Sequence, residues 1–283
     1  MLRRVGGYLL TRDDEAPPPI AELQGDGYTV LRSVLRPSEV ARLREEIEGV
    51  YRDYPADGRA AATRDPIEDE DFRYEMFNRS PLSQKVIAHP TILDTIEPLL
   101  GEDCHVIANT CWKNPPRENN THGGGFWHID AGPHIPRAPD VPWDERIPYP
   151  IFAIGAHIFL MDCDLANGAT GVIPGSHKSG QPPPRDRYQD VDLMYNGQGV
   201  VAIVAKAGDV ALFVSDVWHR RLPSSSEDTG RFFLQVHYGR RDIAQRIRTT
   251  SVVNHVSPEA EKRIESDRER KLLGLHPGMF YDG

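Results

Sequence analysis

The feature that most constrains this chain is a succession of short apolar runs without helical periodicity, starting near residue 103. They are His105–Asn109, Phe126–Asp130, Phe152–Met161, Val200–Val204, Val210–Val214 and Phe232–Tyr238. Each has the length and the β-branched or aromatic content of a strand. No helical pattern of any length lies between them. Strands without crossover helices predict an antiparallel sandwich or barrel, not a parallel α/β sheet. The connections at 114–125, 131–150 and 179–199 are long and rich in Pro, Gly and Asn, and loops of that length in a compact domain are functional or disordered.

Ahead of this β region the chain reads differently. Residues 1–19 end in a proline run and suggest a loosely attached arm, and residues 20–283 are expected to form a single domain. Asp26–Leu31 reads as a turn leading into a short strand. Pro37-Ser38 opens a helix, with Ser38 as the expected N-cap, and Val40, Leu43, Ile47, Val50 and Tyr51 recur at helical spacing. Residues 55–70 read as a polar surface loop. Residues 82–100 read as helix broken at Pro90 and ending at Gly101, and Ser257-Pro258 starts another running to about Gly274. With 33 basic against 42 acidic residues the net charge is −9, which argues against a nucleic-acid partner. Three cysteines are too few for a disulfide framework or a Cys-based zinc site. The apolar run at the N-terminus is too short for a signal peptide, and no segment is long enough to span a bilayer. A cytoplasmic protein with no membrane association is expected.

Two short motifs carry chemistry. In Phe126-Trp127-His128-Ile129-Asp130, a β-conformation would point His128 and Asp130 the same way. Alone the pair is unspecific, since a surface strand with a hydrogen-bonded His and Asp has the same pattern. A second stretch, Asp216-Val-Trp-His219, changes the balance, and Arg231 follows it at the head of another strand. Two imidazoles and one carboxylate are the ligand set of the non-haem Fe(II) facial triad, which leaves coordination positions open. A strand-borne Arg can clamp a carboxylate through two parallel hydrogen bonds. Arg231, Phe233, Gln235 and His237 share one strand face, so the polar ones either line a pocket or form a satisfied network.

At this point the sequence resembles the phytanoyl-CoA hydroxylase-like family of Fe(II)- and 2-oxoglutarate-dependent dioxygenases. The matching features run from about residue 24 to 240. They are Asp26-Gly27-Tyr28 with its helix, His128-Ile-Asp130, Asn167-Gly168, the run Ile173-Pro174-Gly175-Ser176-His177-Lys178, Gly208-Asp209, Trp218-His219 and Arg231. The resemblance implies a mainly β fold with flanking helices, a double-stranded β-helix or jelly roll. It implies Fe(II), 2-oxoglutarate and O2 as cofactors and a small-molecule substrate that is hydroxylated or otherwise oxidatively tailored, with release of succinate and CO2. His128, Asp130 and His219 would bind iron, and Arg231 would hold the distal carboxylate of 2-oxoglutarate. Asn109 and Lys113 would lie on the strand carrying cosubstrate contacts. His157 is readable either as a pocket residue or as a buried structural imidazole. Asp130 stands where halogenating relatives have a small residue, which favours hydroxylation. The sequence departs from the family at Arg220-Arg221, where small residues are common.

The remaining candidates concern substrate. The 131–150 segment leaves the iron motif directly, and its prolines suit a lid with few conformations. Trp143 offers apolar area there, Arg137 and Arg146 offer charge, and Arg220 or Arg221 is expected to approach the same mouth. These would suit an anionic or polar handle, while a solvated surface excursion remains an equal alternative. His177 is assigned to a turn, His122 and His134 to exposed positions, and Trp127 and Trp218 to packing behind the ligands. The competing reading is a cupin-like metal-binding protein or isomerase that does not use 2-oxoglutarate.

Overall fold

The computed structural model describes residues 16–54, 71–117, 124–130, 132–243 and 256–276, and the backbones of Arg3–Val5 (β1) and Tyr8–Leu10 (β2), which pair antiparallel. The loop expected at 55–70 lies outside the described residues, as does His122. Pro18–Gly25 forms α1 and buries Ile20 and Leu23. Tyr28–Leu31 forms β3 and Pro37–Asp53 forms α2. The N-cap of α2 is Arg36, not Ser38. Pro37 takes the first helical position, where its missing N–H loses nothing, and the Arg36 backbone N–H donates to the Glu39 carboxylate at 2.9 Å. Val40, Leu43, Ile47 and Val50 are buried along one stripe, as their spacing predicts.

Phe72–Tyr74 (β4), Met76–Arg79 (α3), Pro81–Val86 (α4) and Pro90–Leu100 (α5) follow, with the break at Pro90 and the stop at Gly101 that the sequence predicts. The strands are His105–Asn114 (β5), Ala153–Phe159 (β6), Thr170–Val172 (β7), Val201–Ile203 (β8), Val210–Val214 (β9), His219–Arg221 (β10) and Arg231–Gly239 (β11). The single C-terminal helix expected to run to Gly274 is two, Pro258–Lys262 (α6) and Asp267–Leu272 (α7). Ser266 starts the second by accepting from the Glu269 N–H at 3.1 Å.

The large sheet has the order β3-β9-β6-β11-β5-β4, and the small sheet β10-β7-β8, all antiparallel. Strand alternation splits the core into two layers. Ile154, Ala156, Ile158, Val210, Leu212, Val214, Phe232, Leu234 and Val236 point outward and pack with α2 and α5 through Leu43, Ile47, Ile92 and Ile96. Phe159, Ala211, Phe213 and Phe233 point inward and meet Val172, Ile203 and Ala205 of the small sheet and its flank. Each fully buried aliphatic or aromatic side chain is worth about 1.5–3 kcal/mol. Two facing antiparallel sheets with helices on one outer face make the expected jelly roll. One expected strand is absent: Phe126–Asp130 makes only an isolated bridge, His128 to His219.

Candidate metal centre

His219 opens β10, and His128 lies opposite it, their backbones exchanging two N–H···O bonds of 3.0 Å. The Asp130 N–H donates to the Ser215 carbonyl at 3.0 Å, so the 128–130 segment is clipped to the sheet at two points. Trp127 and Trp218 turn to the opposite side and bury with Ile173 and Leu193, fixing the backbone from behind. Their indoles donate to the carbonyls of Asp190 and Gln181, at 2.6 and 2.8 Å, so the 179–199 connection is laced to this back wall.

The ligand atoms of His128, Asp130 and His219 all lie within 4.8 Å of one another. Asp130 Oδ1 is 3.5 Å from His219 Nε2 and 3.9 Å from His128 Nε2. Each imidazole turns its Nδ1 to a backbone carbonyl, His128 to Phe126 at 2.7 Å and His219 to Val217 at 2.9 Å. A carbonyl only accepts, so the proton sits on Nδ1 and both Nε2 lone pairs face Asp130. This is the donor set and tautomer a divalent cation requires. Burial, then His219, pushes His128 down to about 4. Burial also depresses His219, but Asp130 outweighs it and leaves that ring above its ordinary value. Burial raises Asp130, yet the imidazoles of His237, His219 and His128 hold it well below the usual carboxylate range.

Deeper in the barrel the inward face of β11 carries Phe233 and Arg231. Arg231 is 3 % exposed, donates to the Gly168 carbonyl at 2.9 Å and lies over the Phe233 ring at 5.1 Å. Its Nε has no acceptor among the described residues, and neither has Nδ1 of the buried His157 a partner. The His157 ring is wedged between Phe233 and Phe213, 4.4 and 4.9 Å away. An unsatisfied buried polar group costs about 1–3 kcal/mol, so such atoms fit a ligand that supplies the missing partner. A dicarboxylate reaching from the metal site toward Arg231 has that chemistry. Gly168, whose carbonyl accepts from Arg231, lets the backbone pass close to that of Leu222. Its φ is +68°, and a Cβ there would sit 2.5 Å from the Leu222 carbonyl oxygen.

A profile of the phytanoyl-CoA dioxygenase family (PhyH) matches residues 23–232. The chain belongs to this family. It is accordingly a non-haem oxygenase that uses Fe(II), 2-oxoglutarate and O2 and acts on small molecules. Among curated relatives, ectoine dioxygenase of Bordetella parapertussis is 23% identical over 221 residues, covering 71% of this chain and 68% of that protein. The ectoine dioxygenase of Nocardia farcinica is 23% identical over 231 residues, covering 69% and 68%. The fold is shared with the epimerase SnoN in complex with Fe3+, alpha ketoglutarate and nogalamycin RO (TM-score 0.60, 20% identity, 85% of this chain and 89% of that one). It is shared also with HygX from Streptomyces hygroscopicus with nickel and 2-oxoglutarate bound (TM-score 0.59, 15% identity, 83% and 89%). No helix among the described residues is long and apolar enough to cross a membrane.

Several residues expected at this PhyH site lie elsewhere. Asn109 and Lys113 face the helices, because they pair with Val236 and Phe232 on the outward side of β11. Asn109 accepts from the Phe77 N–H at 2.7 Å and donates to the Gln235 carbonyl at 2.9 Å. Lys113 pairs with Glu48 at 2.5 Å. The β5 residues opposite the inward face of β11 are Ala108, Thr110, Trp112 and Asn114. Arg137 and Trp143, expected to meet substrate, tie the 132–150 segment to itself and to the Pro-Gly-Ser-His-Lys run. The Arg137 guanidinium lies over the Trp143 ring at 5.1 Å and donates to the Val141 and Lys178 carbonyls. Arg146 pairs with Asp144. Arg220 is buried and donates to the Gln189 carbonyl at 2.8 Å. Arg221, 2 % exposed, reaches the Asn167 carbonyl at 3.2 Å beside Arg231's own contact on Gly168.

The Asp216 carboxylate, unassigned from sequence, anchors the start and end of the segment. It takes His134 Nδ1 at 2.6 Å and the Tyr149 hydroxyl at 3.1 Å, so His134 is not the exposed residue expected. His177 is buried at its turn with Nε2 on the Gln24 carbonyl at 3.2 Å. Gln235 and His237 were legible as neighbours of Arg231 on one face, but nothing in their spacing says that His237 reaches Asp130, which it does at 3.6 Å.

Proposed function

We propose that this PhyH-family chain hydroxylates a small organic molecule, with His128, Asp130 and His219 holding Fe(II) and Arg231 holding the distal carboxylate of 2-oxoglutarate. The observation that carries the assignment is the pair of imidazoles whose Nδ1 atoms are committed to backbone carbonyls, leaving both Nε2 atoms on Asp130 Oδ1. When bound, the iron and cosubstrate supply oxidation of a C–H bond, with succinate and CO2 released. The protein's part is ligation, orientation and exclusion of water. Arg231 fixes one end of the cosubstrate through a planar donor fork. Phe159, Phe213 and Phe233 keep the deep end dry, which strengthens that ion pair. The Nδ1 of His157 can donate to a cosubstrate oxygen on the way.

The half-buried Trp112 and Gln235 border the site on the β5 side and are the residues we assign to the substrate wall. The anionic handle inferred from arginines loses its basis, since those side chains are engaged within the fold. The relatives named ectoine dioxygenase make ectoine the first compound to try. We read residues 20–283 as one domain. The net charge of −9 and three buried free cysteines support a cytoplasmic enzyme with no nucleic-acid partner. The test is succinate release by the Fe(II)-loaded protein across a panel of small polar substrates, with labelled dioxygen and product mass. Stimulated succinate and one labelled oxygen in the product are expected. Conversion of a substrate with no 2-oxoglutarate consumed would favour the cupin-like isomerase instead.

A further inference from the structure

Beyond the three ligands, one polar chain runs from β5 through β11 to the metal-facing carboxylate. The Trp112 indole N–H donates to Gln235 Oε1 at 2.9 Å and the Thr110 hydroxyl donates to the same oxygen at 3.1 Å. With two donors on its oxygen, the Gln235 amide is oriented, and its Nε2 is the atom that meets His237 Nε2 at 2.9 Å. An amide nitrogen only donates, so His237 Nε2 accepts and the proton of the neutral ring is on Nδ1. That Nδ1 lies 3.6 Å from Asp130 Oδ2, whereas the other oxygen, Oδ1, faces the two ligand imidazoles.

We propose that His237 is a positioning residue: its Nδ1–H holds Oδ2 of Asp130, so the carboxylate offers Oδ1 alone to the metal, and Gln235 sets the tautomer this requires. The contact is a few tenths of an ångström longer than a formed hydrogen bond, but the direction of the proton decides its sign. In the opposite tautomer a ring lone pair would face the carboxylate and repel it. The ring is also held sterically. It is 7 % exposed, a Cβ at Gly155 would meet its Cε1 at 3.3 Å, and the Phe213 ring stands edge-on to it with centroids 6.5 Å apart. Nothing in the ligand pattern His128, Asp130, His219 requires a histidine here. An apolar residue would pack against Phe213 equally well, so the buried imidazole and its amide partner need a polar reason.

The inference rests on the reading that the triad binds iron, and the experiment separates the two. Co(II), a spectroscopic probe, is titrated into the full-length chain while affinity and the visible absorption bands are recorded. Wild-type protein that binds no Co(II) overturns the triad reading and this inference with it. If wild type binds, His237→Leu is expected to weaken Co(II) by roughly 10–100-fold and to change the band positions. His237→Asn, whose amide nitrogen falls near the place of Nδ1, should recover most of the affinity and the wild-type bands. His237→Gln, whose amide reaches too far, should not. Thermal melts without added metal verify that the variants fold, and the Asn-to-Leu difference remains informative if all are destabilised equally. Wild-type affinity and bands in His237→Leu, or no recovery in His237→Asn relative to Leu, would overturn the proposal.

Discussion

The two faces of β11 are built from consecutive residues and behave as different materials. Phe232, Leu234, Val236 and Tyr238 form the outward face under the helices, and polar groups there are paired inside the fold. The Tyr238 hydroxyl donates to the Ile87 carbonyl at 2.8 Å, Asn109 bridges Phe77 and Gln235, and Lys113 meets Glu48. Arg231, Phe233, Gln235 and His237 form the inward face, where Arg231 Nε and the facing His157 Nδ1 have no partner among the described residues. The paired groups hold the sheet to the helices, and the atoms left over at Arg231 and His157 are the ones the proposed cosubstrate would satisfy.

That contrast should break first at the metal. Asp130→Ala is expected to remove measurable turnover and to weaken Fe(II) binding by more than about 100-fold, beyond the loss typical of an outlying contact. Calorimetric metal titration and succinate release measure both, and near-normal turnover would remove Asp130 from the ligand set. Next is the inward cation. Arg231→Ala should raise the dissociation constant for 2-oxoglutarate by an amount equivalent to about 2–5 kcal/mol while Fe(II) still binds. Arg231→Lys should restore only part of it, because the ammonium lacks the planar fork.

The outward face should respond in the opposite currency, stability without cosubstrate. Asn109→Ala leaves the buried Phe77 N–H without its acceptor and should lower unfolding free energy by about 1–3 kcal/mol. Its 2-oxoglutarate dissociation constant should match wild type. Lys113→Ala removes a half-exposed ion pair and should change stability by less than about 1 kcal/mol, again with cosubstrate binding intact. A raised 2-oxoglutarate constant in either variant would undo the division of the two faces.

The same contrast shows what the sequence could disclose. Alternation along 231–238 groups Arg231, Phe233, Gln235 and His237 on one face, but both faces are buried, so hydropathy alone does not say which one is the interior. The pairing of β11 with β5 adds a register, Gln235 with Thr110 and Phe233 with Trp112, and a break between His237 and Tyr238 shifts it again. A slip of one residue exchanges the faces, and a resemblance that points to the strand but not to its register cannot separate Asn109 and Lys113 from Thr110 and Trp112. The triad needed no register. His128 and Asp130 converge although their segment is no strand, because two backbone clips suffice to hold them. Asp216, a loop anchor, has no periodic signature at all. Its partners His134 and Tyr149 lie far away in sequence and become its neighbours only through the fold.

The smallest expected effect compares two histidines, His157 inside the barrel and His105 at the far end of β5. His105 is satisfied at both nitrogens. Its Nε2 meets the Ile243 carbonyl at 2.7 Å and its Nδ1 meets His276 Nε2 at 2.9 Å. The carbonyl requires a proton on Nε2, so Nδ1 accepts from His276, and a second proton on His105 would set two N–H groups against each other. Burial lowers His105 below its ordinary value, while burial and His105 push His276 down to about 4, with Arg241 adding to both and Asp103 opposing. Both folded-state values lie below the unfolded one, near 6.5, so the unfolded chain binds more protons in this window. The contribution is therefore complete above about pH 6.5 and declines as pH falls toward about 4. Melting temperatures of wild type and His276→Phe across that window isolate it from the titrating carboxylates. The wild-type curve should fall more steeply with acid than the variant's. Parallel curves would mean that the C-terminal segment is held by the apolar packing of Leu272 and Leu273 and not by the paired imidazoles.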